Sequence, residues 1–233
     1  MARGVLQGRK SGGVSVSVTT GPTVGRAGRP EKRRAIVRGA RRVFALEGYS
    51  RASIERIAAD AEVSTRTIYN HFSDKAELFT TVIEDSATAV AEAQEGLIRE
   101  YLDPVVESGD LDGLVRFGRR WAASAQDAEE HFALMGHVSA EAHFIPPEAI
   151  RVWQQAGPSR VEQEMSTRFA RLAELGLIHA PDPHRAAAHF MLLVGSAVAQ
   201  DSLNGAVPLP KAEVDQIADA GVEAFLRAYR AED

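Results

Sequence analysis

The sequence contains no cysteine and no long apolar run. Without cysteine, the chain can form no disulfide, no thiolate metal site and no cysteine nucleophile. The longest nearly apolar run, from Ala186 to Ala199, has 14 residues and contains His189, so it is too short to span a bilayer. The N-terminus is basic but lacks the apolar segment of a secretory signal. We therefore expect a cytoplasmic protein with no membrane partner.

The short motifs of common enzymes are also absent from the sequence. It has no Walker A loop, no dinucleotide-binding glycine fingerprint, no His-Glu-x-x-His and no nucleophile elbow. His131, His137 and His143 follow one another at intervals of six residues, which places each on a different face of a helix and argues against a metal site. We expect no enzymatic activity, no cofactor and no metal.

Charge is divided unevenly along the chain. Residues 1–80 carry 15 Lys and Arg against 7 Asp and Glu, whereas residues 81–233 carry 12 against 25. A basic N-terminal third is typical of a DNA-binding head on a body that does not touch DNA. We expect three parts: a disordered basic tail over residues 1–28, a DNA-binding head over 29–78, and a body over 79–233.

Residues 53–72 predict two short helices joined by a tight turn. Ser53 and Ser64 are good N-caps, and the apolar residues between and after them recur at helical spacing. The second helix leaves a polar face outward that carries no acid, and a basic helix precedes the pair. This arrangement predicts a helix-turn-helix whose second helix enters the major groove of DNA.

The same residues resemble the signature of the TetR family of bacterial transcriptional regulators. The family's turn glycine is replaced here by Glu62, at a cost of about 1 kcal/mol in a left-handed turn. The resemblance covers about residues 31–80 and implies an all-α protein: a three-helix DNA-binding head and a helical body that binds a ligand and dimerises. The matching residues are Ile57, Ala58, Ala61, Val63, Ser64, Thr67, Tyr69, His71, Phe72, Lys75, Glu77 and Leu78.

The outward face of the second helix supplies the candidate DNA contacts. We expect base contacts from the helix itself, since Asn pairs well with adenine and Arg with guanine. For Lys75 the resemblance implies a phosphate contact, and for His71 helix packing remains an equal alternative. Arg29 lies in an arm before the first helix, where it either touches DNA or is merely solvated. The candidates are Thr65, Arg66, Thr67 and Asn70 for bases, and Arg29, Ser53, Ser64, Tyr69, His71 and Lys75 mainly for phosphates.

The remaining sequence predicts helices throughout. The first helix should run from Glu31 to Glu47 with Gly48 as its stop, and the fourth from Ser73 to about Tyr101. No strand pattern competes. Further helices are predicted near residues 111–126, 128–143, 147–156, 158–176, 183–204 and 210–230.

The stretch from Phe132 to Gly205 resembles the AefR-like C-terminal region found in part of the family. The resemblance rests on Glu141-Ala142, Pro146, Gly157-Pro158, Leu175-Gly176 and Asp182-Pro183. The family implies a small, mostly apolar effector inside each body. The candidate lining residues are Phe117, Trp121, Phe132, Met135, Val138, Trp153, Phe169 and Leu172, with His131, His137, Arg168 and His189 as polar candidates; ordinary core is the alternative for each.

The family also implies a homodimer through the helices near 183–204 and 210–230. Small residues at Gly195, Ser196 and Ala199 would let another helix approach closely. The last helix shows an apolar face from Val214 to Tyr229, for which an intramolecular core is the alternative. We therefore expect a homodimeric repressor released from a palindromic double-stranded operator by a small molecule. The alternatives are a DNA-binding or architectural protein without an effector and an enzyme with a vestigial head.

Overall fold

The computed structural model describes Met1, residues 28–203 and residues 207–231. Within these residues the regular elements are helices, apart from one isolated bridge between Ile178 and Arg230, and the all-α prediction is confirmed. None of the described helices combines the length and apolarity that crossing a bilayer requires. The predicted tail lies outside the described residues except at its two ends.

Twelve α-helices and two π-helical turns make up the described part of the chain. The head contains α1 (Gly28–Arg51), α2 (Ile54–Asp60), α3 (Thr65–Tyr69) and the start of α4 (Lys75–Leu97). The body contains α5 (Asp103–Ser108), α6 (Gly113–Asp127), α7 (Glu129–Ala140), α8 (Pro147–Ala156), α9 (Pro158–Glu174), α10 (Pro183–Phe190), α11 (Ala197–Asp201) and α12 (Lys211–Ala228). The π-helical turns span Ile98–Leu102 and Met191–Ser196.

Helix α1 is longer than predicted at both ends. It begins at Gly28, so that Arg29 lies in its first turn rather than in an arm before it. At Gly48 the backbone leaves helical geometry (φ 79°, ψ 174°), and one more short stretch follows to Arg51. A side chain at Gly48 would collide with the carboxylate of Glu141, which approaches from the body. The predicted stop at Gly48 is therefore a kink that makes room for a body residue.

The helix starts in the head follow from capping side chains. Ser53 and Ser64 each accept a backbone N–H three residues on, from Arg56 and Thr67, at 3.1 Å. Asp74 does the same for Glu77 at 2.8 Å, one residue after the predicted start of α4. Each cap satisfies an N–H that the first helical turn leaves without a partner.

The turn between α2 and α3 is left-handed at Glu62, with φ at 55°. This is the position where the family places glycine and where the sequence predicted a strained residue. The α2–α3 connection therefore keeps its tight geometry although Glu62 carries a side chain.

Helix α4 does not end near Tyr101. It passes through the π-helical turn at Ile98–Leu102 and continues as α5 to Ser108, where Gly109 closes it in a left-handed conformation (φ 71°). Pro104 has no N–H to donate to the preceding turn, and the wider π-helical hydrogen bonding precedes it directly. The sequence placed the end near Tyr101 because the apolar pattern of this helix was followed only as far as Leu97.

Two apolar cores hold the molecule together. One fills the body around Phe117, Phe169 and Phe225. The other fills the head but also takes in Leu134 of α7 and Ala149 of α8, both fully buried. Helices α7 and α8 therefore belong to the body in sequence and complete the core of the head in space.

Candidate DNA-binding surface and ligand cavity

Helix α3 turns one residue inward and a polar surface outward. Ile68 is fully buried in the core of the head, while Arg66 and Asn70 are exposed and Tyr69 is 56% exposed. Thr65 is half-buried at the start of the helix. The outward side chains offer donors and acceptors of the kind that read base edges and phosphates.

The side chains of Ser64 and Thr67 are hydrogen-bonded to each other. Their hydroxyl oxygens lie 2.8 Å apart, and the Thr67 N–H also donates to Ser64 Oγ. Ser53 is likewise committed to capping α2. These hydroxyl groups keep lone pairs and rotatable hydrogens, so capping a helix does not prevent a further contact.

His71 is partly packed against the head and partly exposed to solvent. Its ring is half-buried, with its centroid 6.5 Å from that of Phe72. Burial, and then the positive charges of Arg29, Arg33 and Lys32, lower the pKa of His71 below its usual value. These cations show that the start of α1 and the end of the α3 segment share one basic surface.

Lys75 has partners within the chain. Its Nζ donates to the carbonyl oxygens of Tyr49 at 2.9 Å and Ala52 at 3.1 Å, and lies 4.6 Å from the centroid of the Tyr49 ring. Carbonyl dipoles and an aromatic face therefore stand where we expected an anion to stabilise this cation. Lys75 ties α4 to the link between α1 and α2, and one of its three N–H groups remains for a phosphate.

Some of the basic residues of the head are paired internally. Arg42 bonds the carboxylate of Asp60, and Arg56 bonds that of Glu47 at 3.2 Å. Among the described residues, Lys32, Arg34, Arg38 and Arg66 form no ion pair. Of these cations, Lys32 lies near His71 at the end of the α3 segment, together with Arg29 and Arg33.

A cavity of about 380 Å³ lies in the body behind the head. Its wall is mainly apolar and aromatic, and the polar side chains among its described lining residues are neutral, with no fixed charge among them. The volume falls near the lower end of the range of roughly 300–1,000 Å³ for small-molecule pockets. We call it the inner cavity; its lining is Ala87, Val90, Ala91, Gln94, Trp121, Ser124, His131, Phe132, Met135, Trp153, Gly157, Pro158, Val161, Met191, Gly195, Ser196 and Ala199.

Only part of the predicted lining meets at this cavity. Trp121, Met135 and Trp153 line it, together with His131 and Phe132. The other apolar candidates lie elsewhere, because they complete helix packing. Phe117, Phe169 and Leu172 are fully buried in the body core, and Val138 is buried in the core of the head.

The remaining polar candidates lie away from the inner cavity. Arg168 bonds Asp103 at 2.8 Å and also Glu164, which fixes it at the surface between α9 and α5. His189 is exposed and bonds the hydroxyl of Tyr229 at 2.7 Å. His137 lies beside the kink of α1, with its Nδ1 3.2 Å from where a Cβ of Gly48 would be.

Among the described lining residues of the inner cavity, His131 has a strongly lowered pKa. Its Nδ1 lies 2.9 Å from Ser86 Oγ of α4, and burial lowers its pKa to about 4. The ring is therefore neutral near pH 7. The sequence reasoning missed the contribution of α4, namely Ala87, Val90 and Ala91; their recurrence at helical spacing was a usable signal.

The predicted dimer face of α12 is an intramolecular face. Val214, Ala218 and Phe225 are buried against the rest of the body. Gly221 fits against the backbone of Leu193, where a Cβ would collide with the carbonyl oxygen. Gly195 also points inward, since a Cβ there would lie 3.0 Å from Trp121 Nε1. The small residues therefore serve packing and the inner cavity.

A different surface of the same helices is open. Leu192 is 60% and Leu193 38% exposed on the π-helical turn. On α12, Ala220 and Ala224 are exposed one turn apart. These four residues define what we call the outer face of the last helices.

The head and the cavity-bearing body together define a helix-turn-helix regulator. The family model of bacterial regulatory proteins of the tetR family matches residues 36–82, and that of the AefR-like transcriptional repressor C-terminal domain matches residues 112–231. The chain belongs to the TetR family.

Known relatives agree with this assignment. A TetR-family regulator from Mesorhizobium loti is 32% identical, with 86% of this chain and 98% of that chain covered and a TM-score of 0.74. One from Pseudomonas syringae pv. tomato is 27% identical, with 85% and 97% covered and a TM-score of 0.60. The HTH-type transcriptional repressor AcnR of Corynebacterium diphtheriae is 38% identical over 74 residues, which is 31% of this chain and 39% of AcnR. The match to AcnR thus spans less than half of that relative.

Proposed function

We propose that this chain is a homodimeric repressor that binds a near-palindromic operator and leaves it when a small molecule enters the inner cavity. The observation that carries the proposal is the acid-free outward face of α3, with Arg29, Lys32 and Arg33 of α1 near its C-terminal end. The inner cavity favours a regulator with an effector over a DNA-binding protein without one.

In this proposal α3 lies in the major groove. Arg66 and Asn70 read base edges, with Thr65 and Thr67 at their side. The predicted phosphate contacts come from groups around the helix, since such contacts fix the register of a protein on DNA. These groups are Arg29, Ser53, Ser64, Tyr69, His71 and Lys75.

Two heads are required to read a palindrome. The outer face of the last helices, with Leu192, Leu193, Ala220 and Ala224, is our candidate contact between two copies, because small and apolar residues allow close helix packing. Heads one turn of DNA apart, roughly 34–36 Å, would meet equivalent half-sites.

Helix α4 connects the two sites. Its first turn is tied to the head by Lys75, and its middle lines the inner cavity with Ala87 and Ala91. A ligand that shifts α4 would change the spacing of the two heads. Tenfold release from the operator requires only about 1.4 kcal/mol of coupling between the sites.

The test is a selection from genomic DNA. Purified protein is mixed with a pool of genomic fragments at near-physiological salt, and the retained fragments are sequenced. We expect recovery of one near-palindrome, lost in Arg66→Ala and kept in Arg227→Ala, an exposed arginine of the body. Retention of all sequences, disappearing as salt rises, would contradict base readout.

The dimer contact is tested separately. Leu193→Asp should shift the protein to a monomer in sedimentation and weaken operator binding, whereas Leu175→Asp, at a leucine 45% exposed beyond α9, should do neither. An intact Leu193→Asp dimer would place the interface on another surface.

A further inference from the structure

A second cavity adjoins the inner one on the side of the DNA-binding head. It has a volume of about 390 Å³, and we call it the outer cavity. The two cavities share Val90, Gln94, Ser124 and His131 as lining residues. Three of these four residues have polar side chains, so the boundary between the cavities is polar.

The outer cavity differs from the inner one in charge. It is lined by Arg41 of α1, Arg120 of α6 and Glu130 of α7, whereas the lining that the structure describes for the inner cavity includes no charged residue. Among the side chains that the structure describes, two cations against one carboxylate leave an excess of positive charge. A second acid, Asp85, lies along a neighbouring groove with Arg41.

Both arginines have unused hydrogen-bonding capacity. The Nε of Arg41 is buried without a hydrogen-bond partner, and the nearest carboxylate oxygen, of Glu130, is 3.4 Å away. Arg120 is exposed and pairs with no carboxylate in the described part of the chain. A buried donor without an acceptor is unfavourable, and guanidinium groups bind planar anions in a bidentate manner.

The polar boundary adds no charge of its own. His131 holds Ser86 through Nδ1 and is neutral near pH 7, because burial lowers its pKa to about 4. Gln94 and Ser124 can rotate without movement of the helices that carry them. A molecule that spans both cavities would thus meet an apolar wall, then neutral hydrogen-bonding groups, and then two cations.

We propose that the effector is an amphipathic anion, with its apolar part in the inner cavity and its anionic group between Arg41 and Arg120 in the outer cavity. This inference rests on the proposed ligand-responsive function. The anionic group competes with Glu130 for Arg41, which lies on the first helix of the head. Binding therefore acts on α1 directly as well as on α4.

The chain contains its own reporter for the inner cavity. Both of its tryptophans, Trp121 and Trp153, line that cavity, so intrinsic fluorescence reports its occupation. The probes are straight-chain carboxylates from hexanoate to dodecanoate and the primary alcohols of the same chain lengths, each below the concentration at which it forms micelles. The pairs match in apolar length and differ in charge.

We expect the carboxylate of the best-fitting length to bind about tenfold more tightly than its alcohol, by fluorescence titration at low salt. Arg120→Gln should remove this preference and leave the affinity for the alcohol unchanged. The matched control is Arg116→Gln, an exposed arginine one turn away on α6 that lines neither cavity. Arg41→Gln should act like Arg120→Gln.

Three outcomes would overturn the inference: equal affinity for carboxylates and alcohols, no binding of either class, or a preference that survives in both Arg120→Gln and Arg41→Gln. The titration contains no DNA, so its result is independent of operator binding. Loss of DNA recognition with an intact carboxylate preference would refute the proposed function, and the reverse result would refute only the anionic effector.

Discussion

The DNA-binding surface and the inner cavity are built in opposite ways. The base-reading part of the surface comes from one segment, Thr65–Tyr69 with its flanking residues, and it is placed by the cap at Ser64 and the buried Ile68 within that segment. The inner cavity takes its wall from helices that are distant in sequence, from Ala87 on α4 to Ala199 on α11.

This difference teaches which sites local sequence can specify. A recognition helix needs a cap, one buried anchor and an outward face, and all three lie within about two turns. A cavity is the space that packing leaves unfilled, so it depends on where every large side chain of several helices ends up.

Helix α7 has one residue in the core of the head and the next residue in the wall of the inner cavity. Truncation of these two side chains gives the largest expected effect. Leu134 is fully buried in the core of the head, while Met135 lines the inner cavity. Leu134→Ala should lower the free energy of unfolding by about 2–5 kcal/mol in urea denaturation. Met135→Ala should cost less, because it enlarges an existing cavity, and should alter ligand affinity instead. Equal losses of stability would contradict the division of α7 between the two sites.

His131, in the wall of the inner cavity, should make the free energy of unfolding depend on pH. Burial lowers the pKa of His131 in the folded chain to about 4, below the usual histidine value of about 6.5, so the unfolded chain binds the proton more tightly. Stability from this group is complete above pH 6.5 and is lost as pH falls towards 4, by about 3 kcal/mol in total. The difference between wild type and His131→Gln in urea unfolding should follow this window. A constant difference across it would mean that His131 is not buried as described.

Substitution of Asn70 tests the DNA-binding surface. Asn70→Ala should weaken operator binding by about 1–3 kcal/mol and relax the preference at one base, because an outward amide reads a base edge. Gel-shift titration against operators altered at single positions measures both. Gln163→Ala, at an exposed amide of α9, is the control. An equal loss on every sequence would assign Asn70 to the phosphates.

The smallest effect is expected at the turn between α2 and α3. Glu62 has a positive φ, which glycine adopts at little cost, so Glu62→Gly should raise the free energy of unfolding by up to about 1 kcal/mol. Glu55→Gly, within the ordinary helical backbone of α2, should lower it by a similar amount. Thermal unfolding of both variants checks the sign, and destabilisation by Glu62→Gly would remove the argument for strain.

Most of the fold could be predicted from local patterns, and the failures have identifiable causes. The helix starts followed from caps such as Ser64 and Asp182, whose side chains do accept the N–H groups of the first turn. Helical structure continues past the predicted end near Tyr101 to Ser108, because the chain passes from α4 through a π-helical turn into α5, which the apolar pattern up to Leu97 did not indicate. Base and phosphate contacts of α3 stay predictions.

The site in the body was less predictable for a physical reason. A large apolar residue on an inner helix face has the same sequence signature whether it fills the core, as Phe117 does, or borders a cavity, as Trp121 does. The apolar face of α12 was equally ambiguous, and packing against the body decided it. The sequence pattern shows which side of a helix avoids water, not which neighbour covers it.

The sequence by itself determined the helices, the basic head, the acid-free face of α3 and the family, because each depends on residues within a few turns of one another. Only the tertiary structure decided that α7 and α8 complete the core of the head, that the inner cavity lies against α4, and that Arg41 and Arg120 share the outer cavity. Those features arise from contacts between distant segments, and each is fixed only when all the helices are packed together.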